Sequence, residues 1–149
     1  VEVCTDRTFD FGVDRATLWS ALTSVERYRQ WWPWLREFDG ASFVAGARWR
    51  CAVRSPLLYR VRFDVVLDEV VVGRSASASV TGDIVGQARL DVTPVEDGSR
   101  LRLVSTLSPE SRLLRTFARL APPLARFGHD RLLLVGVRQF RSRALGVGG

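Results

Sequence analysis

His129 is the only histidine in the chain, so it is the first candidate for acid–base chemistry near neutral pH. On a helix, successive side chains point about 100° apart. Asp130 therefore cannot face and hold the His129 ring, and a partner would have to come from another element. The Ser77/Ser79 face of the sheet is the natural source. Tyr59 is the second candidate, a phenol suited to orienting a ligand carbonyl or moving a proton. Metal chemistry is not expected, because one histidine and the two scattered cysteines, Cys4 and Cys51, cannot build a soft-ligand site. No phosphate loop is expected either: Gly82–Gly86 reads as a hairpin loop and does not precede a helix.

The elements that position these groups follow from hydrophobic periodicity. Val1–Phe11 alternates loosely and predicts a first strand. Asp14 is placed to cap a helix that buries Leu18, Trp19, Leu22 and Val25. Ser24 is placed to cap a second short helix, which stops at Trp31-Trp32-Pro33-Trp34 because proline cannot continue it. These tryptophans are expected to seal helices against sheet, with Trp34 a candidate gate residue. Arg36–Val44 predicts a further strand.

The clearest alternation sets Arg48, Arg50 and Arg54 against Trp49, Cys51 and Val53. After a break at Ser55-Pro56, Tyr59, Val61, Phe63, Val65 and Leu67 alternate with charged residues. Trp49, Cys51, Tyr59 and Phe63 thus project to one side of their strands, as core or as cavity wall. In the next strand Ser75, Ser77, Ser79 and Thr81 share one face while Ala76, Ala78 and Val80 share the other. We assign the serine face to the interior, where small polar side chains leave room for a ligand. Two more strands, 87–93 and 100–107, meet at the turn signal Asp97-Gly98.

From Pro109 to Leu145 the chain predicts a long helix. Leu113, Phe117, Leu120, Leu124 and Phe127 fall on one face, and Arg112, Arg115, Arg119 and Arg126 on the opposite one. Pro122-Pro123 and Gly128 predict an interruption, a kink or two helices in sequence.

At 149 residues the chain is expected to form one domain, 1–149, with a substantial core. No apolar run approaches the ~20 residues of a membrane span, and no secretory signal pattern opens the sequence. The cysteines read as reduced thiols of a cytoplasmic protein. Lysine is absent, and the net charge of +6 lies wholly beyond residue 109, where 8 arginines face 2 acids. Aromatics are not interleaved with those arginines, which argues against nucleic-acid binding. The Arg face reads as the solvated side of the helix, with weak membrane-surface or partner contact as its functional alternative.

Four segments, in this order, resemble the START and birch-pollen-allergen superfamily of helix-grip proteins (SRPBCC). They are Asp14–Trp19 leading to Tyr28-Arg29-Gln30-Trp31-Trp32-Pro33; Pro56-Leu57-Leu58-Tyr59-Arg60-Val61; Gly82-Asp83-Ile84-Val85-Gly86; and Gly128-His129-Asp130. Within the superfamily the chain is most similar to the bacterial branch of polyketide cyclase/dehydrase and lipid transport proteins. The resemblance implies an α+β helix-grip fold, a seven-stranded curved antiparallel sheet around the C-terminal helix with two short helices after the first strand. It also implies a hydrophobic cavity between sheet and helix, and it carries over no fixed catalytic set.

The expected function is binding of a hydrophobic small molecule such as a lipid, isoprenoid or polyketide-like compound, without a cofactor. The alternatives are a cyclase/aromatase or dehydratase using His129 or Tyr59, and an adaptor using the Arg face. Expected ligand-binding residues are Trp34, Trp49, Cys51, Tyr59, Phe63, Ser77, Ser79, Phe117 and His129.

Overall fold

The computed structural model describes residues 2–54, 60–110 and 122–146, and the side chains of residues 122–129 lie outside that description. Strand β1 (Val3–Phe11) leads into α1 (Arg15–Leu22), a 3-10 turn (Val25–Arg27) and α2 (Tyr28–Trp31). Six strands follow: β2 (Leu35–Asp39), β3 (Arg48–Arg54), β4 (Arg60–Val71), β5 (Ser75–Gly82), β6 (Ile84–Val95) and β7 (Gly98–Pro109). The C-terminal helix α3 is described over Pro122–Arg143. All seven strands form one antiparallel sheet in the order β1-β7-β6-β5-β4-β3-β2. This is the expected helix-grip arrangement: five consecutive hairpins build the meander, and the two helices after β1 carry the chain from one sheet edge to the other.

Local chemistry sets the entry to this layout. The Asp14 carboxylate accepts the Thr17 N–H at 3.1 Å and caps α1. Helix α1 buries Leu18 and Trp19, and Val25 packs beneath the following turn. Ser24 does not cap the 3-10 turn; its hydroxyl donates to the Ser20 carbonyl at 2.8 Å. Trp31 is 1% exposed and meets Phe140 of α3 edge-on, with ring centroids 5.4 Å apart. Phe140 meets Phe11 in the same way at 5.9 Å, so one α3 side chain ties helix α2 to strand β1.

Several boundaries differ from those predicted. Strand β2 ends at Asp39, and the segment to Ala47 is a loop that sends Phe43 back over Trp49. Gly82–Gly86 is mostly strand: β6 begins at Ile84, and Gly86 pairs with Leu107 inside the ladder. Gly86 has φ +158°, and a Cβ there would lie 1.9 Å from the Thr106 carbonyl oxygen. Only glycine admits so close a backbone approach, which makes the residue a strand feature and not a turn signal. Strand β7 extends to Pro109, where the long helix was expected to begin. Helix α3 passes through Gly128 without interruption, so two separate helices do not meet there. The stripe Leu113, Phe117 and Leu120 and the arginines Arg112, Arg115 and Arg119 lie outside the described residues.

Candidate functional site

The pleat decides what faces α3. Trp49 pairs with Val65, Cys51 with Phe63 and Val53 with Val61, and partners directly opposite share a face. The same face continues through Val65–Val80 and Leu67–Ala78 into β5, then Ala76–Leu90 into β6 and Leu90–Leu103 into β7. The opposite face is wet. There Arg100 forks onto Asp10 at 2.7 and 3.1 Å, and Arg102 onto Asp6 at 2.9 and 2.6 Å.

This register corrects the assignment of the serine face. Ser79 pairs with Val66, and Ser77 with Glu69, so both belong to the outer set while Ala76, Ala78 and Val80 face inward. The Ser79 hydroxyl donates to Asp68 Oδ2 at 2.6 Å on the exposed side. Asp68 is the extra residue where the β4–β5 register shifts, and the bulge gives it that reach. Sequence alternation alone could not separate the two faces, because both are lined by small residues.

Between the inner face and α3 lies a cavity in two adjoining chambers. The larger, about 430 Å³, is bounded by Tyr28 and Trp34, by Trp49, Cys51 and Phe63 of β3 and β4, and by Leu132, Gly136 and Phe140 of α3. The smaller, about 300 Å³, lies toward β1, β5 and β6, where Thr5, Leu67, Ala76, Ala88 and Ser105 border it. Phe43, Trp49, Val65, Leu90, Leu103 and Leu133 border both chambers. None of the larger chamber's described lining residues is charged, and its volume falls within the range of small-molecule sites.

Four of the expected ligand-binding residues therefore meet at the larger chamber: Trp34, Trp49, Cys51 and Phe63. Ser77 borders the smaller chamber, although its ladder partners belong to the outer face. Ser79 borders neither chamber among the described residues. Tyr59 and Phe117 lie outside the described residues, and so does the side chain of His129, whose backbone is helical in α3.

Tyr28, Phe38, Phe43, Leu90, Leu101 and Leu103 were not singled out from the sequence. Leu101 and Leu103 carried a usable signal, the period-2 alternation with Arg100 and Arg102.

The aromatic end of the larger chamber is held by specific hydrogen bonds. Trp32 Nε1 donates to the Gly136 carbonyl at 2.8 Å, and Trp34 Nε1 donates to Gln139 Oε1 at 2.9 Å. The two indoles stack with centroids 5.5 Å apart. Trp49 Nε1 donates to the Ser42 carbonyl at 2.8 Å, and Tyr28 packs against Trp31, Trp32, Phe38 and Trp49. The Tyr28 hydroxyl donates to the Leu22 carbonyl. Burial, reinforced by Glu26 and Cys51, holds that phenol well above its ordinary pKa, and burial with the nearby Asp64 pushes the Cys51 thiol up to about 12. Both groups therefore present neutral surface at the cavity.

No family model matches the chain, and no curated protein matches it. Solved structures do. A START superfamily protein from Mycobacterium smegmatis is 14% identical with a TM-score of 0.72, over 96% of this chain and 97% of that one. Ara h 8.0201 is 8% identical with a TM-score of 0.70, over 99% and 100%. The di-domain ARO/CYC StfQ of the steffimycin biosynthetic pathway is 13% identical with a TM-score of 0.75, over 99% of this chain and 53% of that one. Among the described residues no helix is long and apolar enough to cross a membrane. With its seven-stranded antiparallel sheet, the two helices after β1 and the C-terminal helix, the chain has a helix-grip fold, the fold it shares with these structures.

Proposed function

We propose that this protein binds a hydrophobic small molecule, of lipid, isoprenoid or polyketide-like chemistry, between the inner face of the sheet and α3. The observation that carries this reading is the cavity itself, in which a chamber of about 430 Å³ has no charged side chain among its described lining residues. Apolar contact provides affinity at roughly 25 cal/mol per Å² buried, before ordering costs. Trp34, Trp49, Cys51 and Phe63 are the proposed contact residues in the larger chamber, and Ser77 borders the smaller one. The fold shared with a START superfamily protein and an ARO/CYC protein supports a cavity-based role.

The test is titration with the neutral dye N-phenyl-1-naphthylamine, exciting tryptophan and reading dye emission. Trp32, Trp34 and Trp49 border the cavity, so a bound dye receives energy from them. A saturable rise at one dye per chain, competed by long-chain lipids, supports the proposal. A linear, non-saturating rise overturns it.

A further inference from the structure

The smaller chamber carries a polar feature that a purely hydrocarbon ligand leaves unused. Thr5 is 5% exposed and borders this chamber, and its hydroxyl oxygen is buried with no hydrogen-bond partner among the described residues. Buried hydroxyls ordinarily find one, and leaving one unpaired is destabilising. Directly across the β1–β7 ladder stands Ser105, which borders the same chamber. Two hydroxyl side chains are thus paired on the inner face, where Leu67, Ala76, Ala88 and Leu107 are neighbours, while Arg7, opposite Leu103 on the same face, is exposed. A threonine presents either methyl or hydroxyl by rotation about χ1 at almost no cost in volume, so Thr5 can turn its hydroxyl to an incoming group.

Resting on the cavity reading above, we propose that Thr5 and Ser105 form a subsite for one neutral oxygen of the ligand, a hydroxyl or a carbonyl, with the apolar remainder extending toward the larger chamber. A carboxylate would find no buried cation beside these hydroxyls among the described residues, since Arg7 on the same face is exposed. Among the described residues the only charged one bordering the chamber is Arg89, whose guanidinium is held by Asp91 at 3.0 and 3.1 Å and which belongs to the outer-face set of β6. A hydroxyl suits it well, since each side chain can donate or accept. The ligand class is therefore a hydrophobic alcohol or ketone, in preference to a fatty acid or a plain hydrocarbon.

The test compares decanol, decanone and decanoate as competitors of N-phenyl-1-naphthylamine in the wild type, Thr5→Val and Ser105→Ala. Thr5→Val keeps shape and removes the hydroxyl; Ser105→Ala tests the subsite independently should the first variant fold poorly. The expected result is about tenfold weaker decanol and decanone binding in each variant, about 1.4 kcal/mol, with dye affinity within about twofold and decanoate the weakest competitor of the wild type. Unliganded Thr5→Val should also melt at a higher temperature, because an unpaired buried hydroxyl has been removed. Unchanged alcohol and ketone affinity in both folded variants, with dye binding intact, overturns the subsite and leaves the cavity reading standing. Absence of dye binding in the folded wild type overturns the cavity reading and the subsite with it.

Discussion

The Trp32 indole N–H donates to the Gly136 carbonyl at 2.8 Å, joining residues 104 positions apart in sequence. Trp34, stacked on Trp32, closes over the same glycine, and a Cβ at Gly136 would lie 3.2 Å from Trp34 Cζ2. Helix α3 and the turn before β2 are thereby fastened at the aromatic end of the larger chamber. Trp32→Phe removes the donor while keeping an aromatic ring, and should lower unfolding free energy by about 1 kcal/mol in urea denaturation. Gly136→Ala gains about 1 kcal/mol of helix propensity against a tight but yielding contact, so its net effect should be near zero. Gly136→Leu should cost about 1–3 kcal/mol through overpacking.

Burial of Cys51 predicts a pH dependence. Its thiol is raised from 9.0 to about 12 in the fold, so the unfolded chain ionises first as pH rises. The stability contribution is complete below about pH 9 and is lost between 9 and about 12. A Cys51→Ala variant should show a flatter decline across that window in denaturant melts. At pH 8 an aromatic disulfide reagent should label exposed Cys4 and leave buried Cys51 unreacted until denaturant is added.

Val65 borders both chambers and is only partly buried. Val65→Phe has open volume to grow into, so it should reduce dye affinity by about tenfold or more while costing little stability. Calorimetric melting beside dye titration separates the two effects. A large fall in melting temperature would mean that the site is packed and not open.

The cap of α1 gives a prediction independent of ligand. Asp14→Ala removes the acceptor that the Thr17 N–H uses and should cost about 1 kcal/mol. Asp14→Asn should recover most of it, as judged by chemical denaturation.

Much of this fold is written in period-2 alternation. Arg48, Arg50 and Arg54 against Trp49, Cys51 and Val53 fixes which way β3 faces, because burying any of those arginines on the inner side would be prohibitive. In β5, by contrast, serines alternate with alanines, and neither face is costly to bury. Only the ladder with β4, where Leu67 meets Ala78 and Val66 meets Ser79, determines the side. Gly86 misleads for another reason: glycine signals a turn and a close backbone approach equally well, and the Thr106 carbonyl that requires it lies in another strand. That Thr5 has no hydrogen-bond partner among the described residues is likewise a property of the assembled sheet, since it depends on what β7 and α3 place around it. Asp14, whose partner is three residues away, was legible at once.

Intermolecular nuclear Overhauser effects between decanol and the labelled valine and leucine methyls of the protein test the central claim most directly. If the ligand occupies the space between sheet and α3, its chain protons should contact the methyls of Val65, Leu103 and Leu133, which border both chambers. Contacts confined to exposed methyls such as those of Val44, Val72 and Leu134 would contradict the account and move binding to the surface.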